Sequence, residues 1–358
     1  MAVGDINQQL HAIVNEANLP FADIEAGGAS GRHVRYSHGI MSPDIPPGQQ
    51  LYLVASVTKA VVASLALKLV GEGRLGLSER VTDWISEMPR VPFRSITIRH
   101  LLTHTCGLPD QLPGSGQIRA SHCSLPEFLK LVGENGTDYT PGADCRYSSM
   151  GFLLLGEILS RVVKQPLPTA LRSLVFEPTG MQNSWLGIPA DRDDLLDIAV
   201  PCQLPPWQSE ATDWDWNSAY WRRLGVPWGG LLSTTEDLGR FCRMMLNNGV
   251  TEDNEAVLTR ATVDALTQEQ SRSLFNLSEA TWRKRPWGYG WRFAWPEHSA
   301  SFGDLVPRTA VGHWGATGAL LWLDRESQIY VVILTSTPFE KSRFVLQRMS
   351  NAIASALL

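Results

Sequence analysis

The stretch from Ala55 to Val70 constrains the fold of this 358-residue chain more than any other segment. Apolar side chains recur along it at the spacing of one buried helical face, at Val62, Leu65, Ala66 and Leu69. Ser56 stands at the start of this predicted helix, and Lys59 follows three residues later on the same face. The chain is therefore predicted to hold a hydroxyl and an amine together at the N-terminus of an apolar helix.

This pair makes chemical sense as a nucleophile and its base. A serine hydroxyl is a poor nucleophile until a neighbouring group accepts its proton. A lysine accepts a proton when burial and the positive end of a helix lower its pKa. Ser-x-x-Lys also occurs by chance, with Ser56 as a simple N-cap and Lys59 as a first-turn cation. The four residues alone therefore leave a catalytic and a structural interpretation open.

Composition argues against several classes of function. The net charge is −5. Hydrophobic residues make up 44% of the chain and charged residues 19%, a composition that is typical of a globular enzyme. No basic run stands out, so we expect no nucleic-acid partner. The apolar runs are too short to span a membrane and residues 1–7 do not resemble a signal peptide, so we expect no membrane association. Five scattered cysteines are typical of reduced thiols, which favours a cytoplasmic protein.

Predicted strands lie near both ends of the chain, and predicted helices fill its middle. We predict strands at residues 21–25, 33–40, 290–293, 309–314, 319–323 and 329–335. We predict further helices at residues 5–18, 96–108, 125–132, 152–159, 233–246 and 341–358. The simplest arrangement is an α+β fold, with one antiparallel sheet built from both chain ends, flanked by helices, and a large helical insertion. We assign residues 1–54 and 300–358 to the sheet domain and 55–299 to a mainly helical domain.

Two further patterns resemble ligand-binding motifs. His100 and His104 have a spacing that suits a metal, but no third ligand is evident, so we interpret them as capping a helix and bonding the backbone of the next loop. Residues 71–76 read G-x-G-x-x-G, but they follow a predicted helix, whereas a dinucleotide site needs a preceding strand. We therefore expect neither a metal nor a cofactor.

Two later motifs join the Ser-x-x-Lys pair, namely Tyr147-Ser148-Ser149 and His313-Trp314-Gly315. With these three pieces in order, the chain resembles the serine β-lactamase and penicillin-binding-protein superfamily, particularly class C β-lactamases and family VIII carboxylesterases. Further segments that resemble those of the superfamily lie at residues 96–108, 141–158, 176–181, 229–241 and 312–318. The resemblance implies a sheet domain from the two chain ends, a helical domain between them and an active site in the cleft.

The resemblance also implies a role for each motif residue. Ser56 would form the acyl-enzyme, with Lys59 as its proton partner. Tyr147, with its pKa lowered by the lysine cation, would shuttle protons between Ser56 and the leaving group. His313, on the strand that walls the cleft, would donate a hydrogen bond or titrate near neutral pH. The backbone N–H groups of Ser56 and Ala316 would form the oxyanion hole.

The motifs depart from the usual superfamily pattern at four positions, one of which is Ala319, where a second glycine is common. Ser149 replaces the asparagine of Y-x-N, while His313 and Trp314 replace the lysine and the small hydroxyl residue of K-T-G. The lysine and hydroxyl would receive a substrate carboxylate, so their replacement favours neutral substrates. Ser149 and Trp314 are nevertheless expected to contact substrate.

Glycine and tryptophan supply the remaining substrate-binding candidates. Gly315 would let substrate lie against the strand backbone. Six of the thirteen tryptophans lie in residues 181–228, and we expect Trp216 and Trp228 to line an aromatic, mostly apolar acyl or alcohol site. Simple anchoring of a long loop would account for the tryptophans equally well.

These observations favour a serine hydrolase that works through an acyl-enzyme, most simply a carboxylesterase acting on small or aromatic/apolar acyl esters. A β-lactamase, a D-Ala-D-Ala-type peptidase or amidase, and an acyltransferase are rivals on the same machinery. A catalytically silent binding protein is the alternative from another class, and the presence of Ser56, Lys59 and Tyr147 argues against it. We expect a small-molecule ester or amide as the partner, and the oligomeric state stays open.

Overall fold

The computed structural model describes residues 3–271, 277–280, 287–294 and 302–358. Its helices include α1 Val3–Glu16, α2 Thr58–Gly71, α3 Val81–Trp84, α4 Arg90–Phe93, α5 Ile98–Leu102, α6 Ser115–Ala120, α7 Leu125–Asn135, α8 Ser149–Val163, α9 Leu167–Leu171, α10 Glu177–Thr179, α11 Asp193–Ile198, α12 Ala219–Leu224, α13 Thr235–Leu246, α14 Arg260–Thr267 and α15 Phe339–Leu357. Its strands include β1 Ala22–Gly28, β2 Gly31–His38, β3 Tyr52–Leu53, β4 Trp185–Leu186, β5 Leu231–Ser233, β6 Arg292–Phe293, β7 Val311–Gly315, β8 Ala319–Asp324 and β9 Ile329–Thr335. No helix in these described ranges is long and apolar enough to cross a lipid bilayer.

The main sheet joins both ends of the chain. In the described part of the chain its strand order is β2-β1-β9-β8-β7-β6, and all neighbours are antiparallel. β1 comes from the first thirty residues, and it pairs along its full length with β9. The predicted α+β class, with an antiparallel sheet built from both chain ends, is therefore confirmed.

Helices cover both faces of this sheet, which explains why its central strand is apolar throughout. In β9, Val331 and Ile333 enter the core beneath α1 and α15, while Tyr330, Val332 and Leu334 enter the opposite core, which α13 covers. Alternate side chains of a strand point to opposite faces, so a strand buried on both faces reads as a continuous apolar run. The run in β9 is thus a direct consequence of its central position.

The middle of the chain is largely helical, and it adds a small sheet in the order β3-β5-β4. β6 lies within the stretch that we assigned to the helical domain, yet it pairs with β7 in the main sheet. The boundary at residues 299 and 300 lies outside the described residues. The helix predicted at 96–108 is shorter, because His104 and Gly107 have φ angles of +57° and +83° that turn the chain.

Candidate active site

Ser56 is presented by a strained turn between β3 and α2. Residues 55–57 form one turn of 3₁₀ helix, and Ala55 has a φ of +45°, which residues with a side chain rarely adopt. The Thr58 hydroxyl donates to the Ala55 carbonyl at 2.6 Å and accepts the Leu231 N–H at 3.1 Å. These bonds tie the turn to β5 and hold Ala55, the residue before Ser56, in an unusual backbone conformation, a feature often found at functional sites.

Lys59 lies next to Ser56 and is completely buried. Its Nζ is 3.2 Å from Ser56 Oγ and donates to the Trp228 carbonyl at 2.7 Å. Burial lowers the pKa of Lys59 to about 7, although the negative charge of Asp110 opposes this shift. At neutral pH a large fraction of Lys59 is therefore the free amine, which can donate to Trp228 while it offers its lone pair to the Ser56 proton.

Tyr147 contacts Lys59 from another side, with Nζ 4.6 Å from the centroid of the phenol ring. Burial raises the pKa of Tyr147 above its usual value, and the charge of Asp110 raises it further, while hydrogen bonding to Ser56 and the charge of Arg292 act against this. By distance and angle, its hydroxyl has no hydrogen-bond partner among the described residues, so it lies near Ser56 without a well-formed bond. The expected lowering of this pKa is wrong, because loss of hydration disfavours a buried phenolate. Tyr147 is therefore a proton donor in this state.

His313 is buried and does not line the cavity beside Ser56. Its Nδ1 is 2.8 Å from the Trp314 carbonyl, and because a carbonyl only accepts, Nδ1 carries the proton. Burial, assisted by the charge of Lys59, lowers the pKa of His313 to about 3. The expectation that His313 titrates near neutral pH is therefore wrong. The neutral ring already uses its Nδ1–H on the backbone, and its Nε2 has no partner within the described ranges.

His104 holds the backbone on both sides of Tyr147. Its Nδ1 accepts the Ser148 N–H at 3.1 Å, and its carbonyl accepts the Arg146 N–H at 2.9 Å. His100 accepts a backbone N–H at the start of α5. The structural interpretation of both histidines is confirmed, and the loop contact of His104 fixes the chain at Tyr147.

A cavity of about 350 Å³ opens beside Ser56. Its lining residues are Leu53, Ala55, Ser56, Asp110, Gln111, Ser115, Arg119, Tyr147, Ser149, Trp207, Trp216, Trp221, Trp228, Gly229, Trp314 and Ala316. The structure thus brings most of the predicted site residues to one cavity. Ser56 and Ala316, predicted to supply the oxyanion hole, both lie on its wall, whereas Lys59, His313 and Gly315 do not.

Gly315 has a packing role that we did not predict. A Cβ atom at this position would lie 2.2 Å from the Val54 carbonyl oxygen and 3.2 Å from Ala55 Cβ. Such distances are far below normal contact, so a glycine is needed for β7 to approach the turn that carries Ser56. Gly315 is not among the residues that line the cavity, and its contact with substrate stays a prediction.

Ser149 and Trp314 lie on the cavity wall, and each is engaged by a neighbour. The Ser149 hydroxyl and N–H both donate to Asp110 Oδ1, at 2.6 and 3.1 Å. The Trp314 indole stacks on Phe339, with centroids 4.1 Å apart and planes at 12°. Ser149 therefore orients a carboxylate at the cavity, and Trp314 presents a supported apolar surface.

Part of the tryptophan-rich loop forms a wall of the cavity. Trp216 and Trp228 are buried there as predicted, and they are joined by Trp221 and by Trp207, which is 51% exposed. Trp207 meets Trp216 edge to face, with centroids 5.8 Å apart. These side chains anchor the loop and shape an aromatic cavity at the same time.

Sequence reasoning missed the charged residues of the cavity. Asp110 and Arg119 both line it, and Arg292 lies close enough to Tyr147 to influence its pKa. Asp110 comes two residues after the 96–108 segment that bears the family resemblance, so its neighbourhood carried a signal. Arg119 and Arg292 stand in no recognisable motif, because only the tertiary fold brings them to the site.

Comparison with known proteins adds independent information. The sequence model of the Beta-lactamase family matches residues 29–355. Penicillin-binding protein 4 of Amycolatopsis lactamdurans is 31% identical over 272 residues, covering 74% of this chain and 65% of that protein, so the match spans about two thirds of its length. Esterase EstB of Burkholderia gladioli is 29% identical over 321 residues, covering 81% of this chain and 78% of the esterase. The structure of EstCE1, a hydrolase with promiscuous acyltransferase activity, aligns over 99% of both chains with a TM-score of 0.77 and 18% identity.

The pKa values of Lys59 and His313 make a prediction about the pH dependence of ester hydrolysis. The kcat/KM should fall as the pH drops through about 7, because Lys59 becomes protonated and no longer accepts the Ser56 proton. His313→Asn should leave this acidic limb in place, because His313 is already neutral there. The measurement is the pH–rate profile of both proteins across the neutral range. Loss or displacement of the limb in the variant would assign the titration to His313.

The packing of Gly315 makes a prediction about stability. Gly315→Ala should lower the free energy of unfolding by about 1–3 kcal/mol, the usual cost of overpacking, and it should also lower kcat because the Ser56 turn must move. Gly116→Ala is the matched control, because a Cβ there meets its nearest neighbour at 3.9 Å. Urea unfolding and ester hydrolysis should be measured for both. Equal stability of the Gly315 variant and the wild type would contradict the packing role.

Proposed function

The chain belongs to the Beta-lactamase family and is a serine hydrolase, and we propose that it is an esterase. Its substrates are small carboxylic esters with apolar or aromatic groups, which it cleaves through an acyl-enzyme on Ser56. The observation that carries the proposal is the contact of Ser56 with Lys59, an amine with a pKa of about 7, beside a cavity walled by tryptophans. The contact supplies an activated nucleophile, and the indoles favour an apolar substrate.

In the proposed reaction, Ser56 Oγ attacks the ester carbonyl carbon while its proton passes to Lys59 Nζ. The carbonyl oxygen becomes an oxyanion, which the N–H groups of Ser56 and Ala316 stabilise. As the C–O bond to the alcohol breaks, the neutral phenol of Tyr147 donates a proton to the leaving oxygen and is reprotonated from Lys59. Water then attacks the acyl-enzyme with the same groups in reverse order, which releases the acid and restores Ser56.

The side chains on the strand side of the cleft favour ester substrates over β-lactam substrates. A β-lactam carries a carboxylate near the scissile bond. In the superfamily that this chain resembles, the lysine and the hydroxyl residue of K-T-G receive that carboxylate. This chain instead has a buried neutral His313 and a Trp314 stacked on Phe339. A hydrogen bond to a charged group is worth about 1.5–3 kcal/mol, so its loss handicaps a β-lactam whose carboxylate faces positions 313 and 314 about ten- to hundred-fold.

We also propose a cytoplasmic location. Cys106, Cys123, Cys202 and Cys242 are buried free thiols. This pattern is typical of a reducing compartment. Peptidoglycan and β-lactams are encountered outside the cytoplasm, so the proposed location agrees with an ester substrate.

The role of Ser56 is tested by covalent labelling. A fluorophosphonate should modify Ser56, and Ser56→Ala should abolish labelling and reduce kcat by as much as ~10⁶ while the protein stays folded. Ser64→Ala is the control and should retain labelling, because Ser64 lies in α2, beyond the turn that carries Ser56, and its hydroxyl is bonded to the Ala60 carbonyl. The labelled residue is identified by peptide mass spectrometry. Labelling of another serine, or efficient turnover by the Ser56 variant, would refute the assignment.

The substrate class is tested by comparing kcat/KM for p-nitrophenyl butyrate and for nitrocefin under the same conditions. The kcat/KM for the ester should be at least about tenfold higher, because the side chains at positions 313 and 314 offer no partner for the carboxylate of nitrocefin. The double variant His313→Lys with Trp314→Thr should raise β-lactam turnover relative to ester turnover. A nitrocefin value equal to or above that of the ester would favour the β-lactamase or peptidase alternative.

A further inference from the structure

Arg119 is a buried cation in the wall of the catalytic cavity. It lies on α6 and is 5% exposed, and its Nη2 donates to Gln111 Oε1 at 3.0 Å. Its Nη1 is also buried, and it has no hydrogen-bond partner in the described part of the chain. An unsatisfied buried donor of a charged group is costly, so the position calls for an acceptor that this chain's described residues do not provide.

Two tryptophans hold the guanidinium in place. Its central carbon is 4.3 Å from the ring centroid of buried Trp221 and 5.3 Å from that of Trp207. The faces of these rings attract a cation, which offsets part of the cost of burial. Burial lowers the pKa of Arg119 only to about 10, so the group stays charged at neutral pH. Trp207 is half exposed and lines the cavity beside Arg119.

We propose that Arg119 binds a carboxylate of the substrate, so that the preferred esters of this enzyme carry a free acid group in the part that fills the tryptophan-walled side of the cavity. The proposal rests on the esterase function proposed above and narrows its substrate class. A guanidinium matches a carboxylate with two parallel N–H···O bonds, and Nη1 has such a donor to offer. Gln111 lies beside Arg119 on the same wall and completes a polar subsite.

Asp110 is the other charged residue that lines the cavity, and its Oδ1 accepts two hydrogen bonds from Ser149. Its negative charge acts on Arg119 as well, where it raises the pKa and so helps to keep the guanidinium charged.

Paired esters distinguish this role from simple support of the tryptophan wall. Mono-p-nitrophenyl glutarate carries the acid on the acyl side, and p-nitrophenyl pentanoate is its neutral match. The butyrate ester of 4-hydroxybenzoate carries the acid on the alcohol side, and phenyl butyrate is its neutral match. Arg119→Gln should lower kcat/KM for at least one of the acid esters about ten- to hundred-fold, mainly through KM, and change both neutral esters by less than about threefold. Arg119→Lys, which keeps the charge, should recover part of the loss.

Each contrary result is informative. An equal fall for acid and neutral esters would make Arg119 a structural support, and no fall for either acid ester would show that it does not bind the acid. Calorimetric binding of glutarate to the wild type and to Arg119→Gln separates the inference from the esterase proposal. Glutarate binding that depends on Arg119 in a protein without esterase activity would refute only the proposed function. Glutarate binding that is equal in the two proteins would overturn the subsite.

Discussion

The chemistry of the site depends on the removal of Lys59 from water. Desolvation brings the pKa of its amine to about 7, within reach of the Ser56 hydroxyl, while the Trp228 carbonyl takes one of its N–H groups. The same desolvation raises the pKa of Tyr147 and lowers that of His313 to about 3. Burial thus favours the neutral form of all three groups.

The location of Ser56 is equally a matter of backbone geometry. Gly315 lets β7 press against the chain at Val54, and the turn beyond it holds Ala55 at a positive φ. Thr58 then bonds to both Ala55 and Leu231, so the strained turn is fixed from the main sheet on one side and from the small sheet on the other. Ser56 is therefore positioned by contacts from both the main sheet and the small sheet.

The sequence was most informative where function and fold depend on local spacing. The Ser56–Lys59 contact follows from helical periodicity, and the apolar run of β9 correctly marked a buried strand. The pKa directions of Tyr147 and His313 were mispredicted, because burial depends on side chains distant in sequence. Arg119 was missed for the same reason, since its partners at positions 207 and 221 lie about a hundred residues away in the chain.

The distribution of charge in the cavity differs from the one that the motif alone implies. The strand that carries K-T-G in related proteins here has a neutral histidine and an indole, so it offers no cation at positions 313 and 314. A cation, Arg119, lies instead on α6 and packs against the ring of Trp221. Because the guanidinium is already in contact with an aromatic face, it loses little further hydration when a ligand binds. An anionic group of a substrate is attracted to the wall of the cavity that holds Arg119. The same acylation chemistry can therefore act on substrates whose anionic group points to that wall and not to positions 313 and 314. In the proposed enzyme, selectivity is therefore separated from catalysis, because Arg119 lies on a different element from the contact between Ser56 and Lys59.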